Sequence, residues 1–222
     1  ARGTLRPMGH EARDRAWTEI ERRIVSGRLR GGDRVDEEAL AGKLDVRVGS
    51  VREALSALER DGFVRGVVDG GYEVADLSEA EVREAYPVAI LLEGLALRTT
   101  PRFPAEAVRR LREINDAMAA AVGHPMRAAT SDWEFHDELT RHCANEQLLG
   151  TLRPLKRMLL RYEYAYMSAD DFVDRSVAQH REIADALERG DLEAAALIVA
   201  ANFRDSLPGI LERIERASAA PA

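Results

Sequence analysis

The chain has 222 residues, a single cysteine (Cys143), 32 Lys+Arg against 39 Asp+Glu, and a formal net charge of -7. One thiol excludes an internal disulfide framework, and the length suffices for one large or two small hydrophobic cores. The opening residues show no signal region and the apolar run Val88–Leu97 is broken by Glu93, well short of the roughly 20 residues of a membrane span, so a soluble cytoplasmic protein with no membrane partner is expected. The charge is unevenly spread: residues 1–75 hold 14 basic and 14 acidic side chains, and the remainder 18 and 25. The acidity that would repel nucleic acid therefore lies beyond residue 75.

Residues 1–10, with Gly3, Pro7 and Gly9 and no apolar period, read as a flexible arm. From Glu11 onward Trp17, Ile20 and Ile24 share one helical face that ends near Gly27. Asp36 is placed to cap a short helix whose apolar face is Ala39, Leu40 and Leu44. The tight connection Asp45-Val46-Arg47 leads to a third helix lined by Val51, Ala54, Leu55 and Leu58 and closed by Gly62. Phe63-Val64 and Tyr72-Val74 then flank Asp69-Gly70-Gly71, the residue chemistry of a tight hairpin turn. Three helices followed by a hairpin within residues 11–75 is the order of a winged helix-turn-helix.

After a linker at residues 76–78, Ser78-Glu79-Ala80-Glu81 has the form of a capping box and opens a new helix. The apolar periods predict helices at 78–98, 104–122, 126–142, 145–167, 171–189 and 191–216, with Pro208 kinking the last. The expected fold is mostly α: an N-terminal winged helix-turn-helix with a small β-hairpin, and an all-helical domain over residues 79–218.

In a helix-turn-helix the N-terminal end of the second helix enters the major groove. Here that end carries Arg47, Gly49, Ser50 and Arg52, with Lys43 closing the preceding helix and Gly71 in the wing. Arginine suits the task because its fork pairs with both acceptors of guanine or grips a phosphate. Taken alone, these side chains describe a solvated surface just as well. In the helical domain, Asp132 and His136 are one turn apart on one helix face, with His180 on the next-but-one helix and Asn202 on the last. A carboxylate and neutral imidazoles converging from three helices suit zinc, nickel or manganese, although an Asp/His pair at this spacing is more often a solvated face or a buried hydrogen-bonded pair. His142 and Cys143 are adjacent and point apart, so they do not share an ion. Tyr162, Tyr164 and Tyr166 fit helix packing.

The run from Arg23 to Val35, and the segment Leu40–Val64 with Val51-Arg52-Glu53-Ala54-Leu55 and Leu58-Glu59-Arg60-Asp61-Gly62-Phe63-Val64, resemble GntR-type transcriptional regulators. The helical remainder is similar to the FCD ligand-sensing domain of their FadR branch. The resemblance implies a bacterial, homodimeric, ligand-responsive regulator that binds a palindromic double-stranded DNA operator, with repression as the expected sign. It implies a small-molecule effector, often an organic acid, beside a divalent metal held by Asp132, His136, His180 and the position of Asn202.

Three departures matter. Relatives read Ser-Arg-Thr-Pro where this chain has Arg47-Val48-Gly49-Ser50, so Val48 replaces a DNA-contacting arginine, and Ser50 with Glu53 offers an alternative capping box. Asn202 replaces a third histidine, which leaves open a weaker metal site, a site completed by water, or a metal-free pocket in which Asn202 bonds the ligand. Ala89 replaces an arginine that grips a carboxylate effector, leaving Arg161 and Tyr86 as the expected effector contacts. The competing reading is a metal-dependent hydrolase on a helical bundle, which gives the winged domain no role.

Overall fold

The computed structural model describes residues 8–76, 78–121, 123–166 and 170–219, and its contacts divide the chain into two units between residues 77 and 78. The first unit contains α1 (Met8–Val25), α2 (Glu37–Leu44), α3 (Val48–Arg60), β1 (Val64–Gly66) and β2 (Tyr72–Val74). Helix α1 takes in Met8–His10, the last three residues of the arm expected over residues 1–10; residues 1–7 lie outside the described residues. Asp36 caps α2 by accepting from the Ala39 amide at 2.9 Å. Gly62, at φ 77°, closes α3 in the left-handed region that favours glycine. The expected Ser50–Glu53 capping box does not form. The N-cap of α3 is Arg47, without a side-chain cap bond, and Ser50 lies inside the first turn, only 5% exposed.

The strands pair antiparallel with Val64 opposite Val74 and Gly66 opposite Tyr72. The stretch before α2 joins them, the Val35 amide donating to Tyr72 at 2.9 Å and the Val74 amide to Asp33 at 2.9 Å. Ile20, Leu40, Val51, Leu55, Leu58, Phe63 and Val74 form one core, and Val48, in place of the expected arginine, packs against it. That packing explains why α3 begins one residue after Arg47: an apolar side chain there is worth more turned inward.

The second unit contains α4 (Glu79–Thr99), α5 (Ala105–Ala119), α6 (Pro125–Arg141), α7 (Glu146–Tyr166), α8 (Asp170–Glu188) and α9 (Leu192–Ala219). Each matches the sequence periods within three residues. Helix α9 runs through Pro208, and α4 and α7 likewise contain Pro87 and Pro154. Helix α4 packs on α9, α7 and α6, while α5 packs on α6 and α8. Leu192–Arg216 of α9 is long and apolar enough by length and composition to pass as a membrane span, at a mean hydropathy of 1.2, yet it packs along α4 and α8.

Leu55 is completely buried at the centre of the first core, whereas Val68 at the wing tip is fully exposed. Leu55→Ala is expected to cost about 2–5 kcal/mol in urea unfolding through lost burial and the cavity left. Val68→Ala is expected to stay within about 0.5 kcal/mol of the parent.

Candidate functional site

The DNA-reading candidates separate on the structure. Arg47 and Gly49 are exposed at the start of α3, and nothing lies within 4 Å of a side chain built on Gly49. Arg52 is 67% exposed, and its Nε donates to Glu37 Oε2 at 2.6 Å; the bond and then the charge of Glu37 push the guanidinium pKa up. Lys43 is engaged by Glu19 at 3.3 Å. Ser50, being buried, leaves the surface set. Gly71 has φ 78°, and its contribution is the backbone turn of the wing rather than a contact of its own. Two residues missed in the sequence belong beside these. Arg34 donates to the Gly70 carbonyl at 2.7 Å, and Glu37 stands between the wing and Arg52. Only the position of Glu37 next to the cap Asp36 hinted at the second.

Every helix of the second unit sends a side chain into one buried polar cluster: Glu93 (α4), Asn115 (α5), Asp132 and His136 (α6), Lys156 (α7), His180 (α8) and Asn202 (α9). Glu93 is wholly buried. Its Oε1 lies 2.9 Å from Lys156 Nζ, an ion pair whose angles are not those of a hydrogen bond. Its Oε2 accepts from His136 Nδ1 at 2.8 Å. Burial alone would push the Glu93 carboxyl up; the charges of Lys156 and His136, with the hydrogen bond from His136, override it and hold it at about 2. Burial would likewise lower His136, but Glu93 raises it above the ordinary imidazole range. Asp132 is pushed up by burial, and His180 is driven well below its usual value by burial and by the charge of His136.

The hydrogen-bond partners assign the ring atoms. The Asn115 Nδ2 donates to the Val177 carbonyl at 3.0 Å, so its Oδ1 accepts from His180 Nδ1 at 3.2 Å. Neutral His180 therefore turns the lone pair of Nε2 toward Asp132 Oδ1, 3.5 Å away, and neither atom has a hydrogen-bond partner. Likewise Asn202 Nδ2 donates to Gln179 Oε1 at 2.9 Å, which turns Asn202 Oδ1 to His136 Nε2 at 3.2 Å. Phe135 stacks on His180 with ring centroids 3.8 Å apart and holds the ring's plane.

Donor atoms of Asp132, His136 and His180 all lie within 4.8 Å of one another. Bonds of about 2.1 Å at tetrahedral or octahedral angles place neighbouring ligand atoms about 3.0–3.4 Å apart. The two orphaned buried atoms, one a carboxylate oxygen and one a nitrogen lone pair, are a donor set that a divalent cation satisfies. The residues present thus fit a metal, and the carbonyl of Asn202 is turned the right way to join them. Glu93 is the outer partner that orients His136.

The expected effector contacts, Arg161 and Tyr86, both have partners within the protein. Arg161 Nη2 donates to Glu81 Oε2 at 2.9 Å and lies 3.3 Å from the Tyr162 hydroxyl. Tyr162 also donates to Glu81 and accepts from the Ser78 amide. The predicted capping box is therefore half made: Ser78 Oγ accepts from the Glu81 amide at 3.3 Å, while the Glu81 carboxylate serves α7 instead. Burial and the bond to Glu81 push the Tyr162 phenol up to about 12. Tyr86 is buried edge-on to Phe203, whose ring also packs edge-on to His136. His142 bonds Glu138 at 3.2 Å rather than joining the cluster. The side chains of Tyr164 and Tyr166 lie outside the described residues. Lys156 carries no signal in the sequence beyond being one of only two lysines in the chain, with Arg153 and Arg157 close by.

A winged helix-turn-helix unit followed by a helical unit with a polar interior defines a class: regulators that read DNA with one unit and a small molecule with the other. Residues 12–74 match the bacterial regulatory proteins of the gntR family, and residues 84–205 match the FCD domain. The chain belongs to the GntR family of transcriptional regulators, in its FCD-bearing branch. It is 32% identical over 174 residues to the probable D-xylose utilization operon transcriptional repressor of Paenarthrobacter nicotinovorans, covering 78% of this chain and 76% of that protein. It is 28% identical over 200 residues to the Nta operon transcriptional regulator of Aminobacter aminovorans, covering 87% and 91%. A GntR transcriptional regulator from Rhodococcus sp. RHA1 shares the fold at a TM-score of 0.75 and 23% identity, over 91% of this chain and 98% of that one. These are families of regulators, not enzymes, so the hydrolase reading falls.

The Glu93–Lys156 pair gives a stability prediction. Glu93→Leu strands an uncompensated buried ammonium and is expected to cost about 3–5 kcal/mol, whereas Glu93→Leu combined with Lys156→Met is expected to recover most of that loss. Chemical denaturation of the two variants measures it; a double variant no more stable than the single would contradict the pairing.

Proposed function

We propose that the chain is a cytoplasmic, homodimeric repressor that binds a palindromic operator, and that a small acidic effector releases it by binding at a divalent metal in the FCD domain. The observation that carries this reading is the facing pair Asp132 Oδ1 and His180 Nε2, buried, 3.5 Å apart and without hydrogen-bond partners. Asp132, His136, His180 and Asn202 would hold the ion. When bound, the ion supplies a Lewis-acidic centre with room for an effector oxygen. A carbonyl in place of a third imidazole is a weaker donor, which favours the harder ions and a ready exchange of bound acid.

This chain's own residues supply the rest. Glu93 holds His136 in place and Phe135 holds His180, so the ligand atoms are oriented before any ion arrives. Helix α4 starts at Glu79, capped by Ser78 at the end of the linker, and its first turn is tied to α7 through Tyr162 and Arg161. An effector that alters the packing of α7 on α4 thereby acts on the residue where the chain passes to the DNA-binding unit. It changes the output only to the extent that it binds the two arrangements with different affinity. Dimerisation is supported by an apolar stripe on α4, where Val88, Leu91 and Leu95 are 44%, 71% and 43% exposed at helical spacing. One recognition helix covers only a few base pairs, so two-fold pairing supplies the second half-site. The repressor name of the Paenarthrobacter relative supports the sign.

Elemental analysis after exhaustive dialysis against trace zinc is expected to find about one ion per chain in the parent, and a small fraction of that in His180→Ala, which lacks one of the imidazole ligands. Equal, near-zero metal in both would leave a metal-free pocket. On the DNA side, Arg52→Ala is expected to weaken operator binding by about 1–3 kcal/mol with the fold unchanged; unaltered affinity and salt dependence would remove Arg52 from the interface.

A further inference from the structure

The surface shared by α3 and the wing is organised around a carboxylate, which is unexpected on a face that meets a polyanion. Glu37 is the first residue of α2, and its side chain is only 12% exposed although its partner Arg52 is 67% exposed. Its two oxygens are divided. Oε2 accepts from Arg52 Nε at 2.6 Å. Oε1 faces the wing, 3.8 Å from where a side chain on Gly71 would begin, and the same point is 3.7 Å from Arg34 Nη1. Arg34 in turn donates to Gly70 at 2.7 Å and lies 4.0 Å from Asp69. One acid thus stands between the recognition helix and a wing that is itself anchored by an arginine.

The geometry of the Arg52 contact is informative. Glu37 engages Nε, and among the described residues no hydrogen bond from the Nη pair of Arg52 is seen. The Nη1/Nη2 end of the fork can pair with guanine O6 and N7. A guanidinium held by Nε arrives at the groove with its direction already set, instead of spending its rotamer freedom on binding. The same carboxylate is a liability toward phosphate. It repels every duplex alike, whereas its positioning of Arg52 rewards only a duplex with the right base at that step. The repulsion lowers attachment to any duplex, and the positioning of Arg52 is what widens the gap between cognate and non-cognate DNA.

Building on the reading of Arg52 as a base contact, we propose that Glu37 is the specificity-determining positioning residue of this DNA surface: it aims Arg52 at a base and suppresses attachment to arbitrary sequence.

The test uses the full-length chain and two probes: the tightest duplex that the parent recovers from a pool with a randomised core of about 20 base pairs, long enough for two half-sites one helical turn apart, and a scrambled duplex of the same length and composition. Glu37→Gln removes the charge and keeps the shape; its affinity for the scrambled duplex is expected to rise a few-fold while that for the selected duplex falls. The ratio of the two should drop about tenfold, within the range of one bidentate base contact. Glu37→Asp keeps the charge but does not reach Arg52. It should lose the ratio without gaining affinity for scrambled DNA. In an Arg52→Ala background Glu37→Gln should leave the ratio where Arg52→Ala alone puts it, because the two act as one unit. A merely structural role for Glu37 would lower both affinities together with the melting temperature and leave the ratio intact. A ratio within twofold of the parent in Glu37→Gln, or an equal further loss in the Arg52→Ala background, overturns the proposal. A parent that does not discriminate between the two duplexes overturns the underlying reading of Arg52 as well, and is thereby told apart.

Discussion

The helical unit depends on one buried carboxylate. Glu93 sits with no exposure in the middle of α4, and an isolated carboxylate in that place would cost several kcal/mol. Lys156 from α7 and His136 from α6 answer it, so three helices are held to a common point by charge as well as by apolar packing. The consequence for the site follows from proton accounting. Because His136 gives its Nδ1 proton to Glu93, its Nε2 faces inward, toward Asn202. Because His180 gives its Nδ1 proton to Asn115, its Nε2 faces Asp132. Two imidazoles are thus aimed at one place by their outer partners, which is how metal-binding histidines are oriented.

The DNA-binding unit solves a different problem with equal numbers of acids and bases. With no net charge to attract a duplex, its arginines act where they are placed rather than in sum. Val48, at the position where relatives carry an arginine, is packed against the core, and Asp69 in the wing has Arg34 as its neighbour. Nonspecific attraction is low by construction, since phosphate neutralisation is the main source of sequence-independent affinity. A surface of this kind relies on a few directed contacts for its affinity.

Local features were legible in the sequence and long-range ones were not. Helix periods, the Asp36 cap, the glycine closing α3 and the hairpin turn depend on residues within a few positions, and all appear where the pattern placed them. The Asp132/His136/His180 convergence was also readable, because one-turn spacing on α6 puts two of its members together before any tertiary structure is known. By contrast, the first turn of α3 was decided by what Val48 could bury, which no capping pattern encodes. Arg161 looked like a free cation until Glu81, far away in sequence, claimed it. Glu93 interrupts the apolar run Val88–Leu97, and its partner Lys156, flanked by Arg153 and Arg157, is not marked out by its neighbours; the pairing exists only in the folded bundle.

The central claim is that the facing atoms of Asp132 and His180, together with His136 and Asn202, form a metal site. X-ray absorption at the zinc edge, on protein loaded with one equivalent of zinc, reads that site directly. The account predicts a first shell of mixed nitrogen and oxygen at about 2.0–2.2 Å, with the outer-shell scattering of two imidazoles. A shell of oxygen alone, without imidazole scattering, would contradict it.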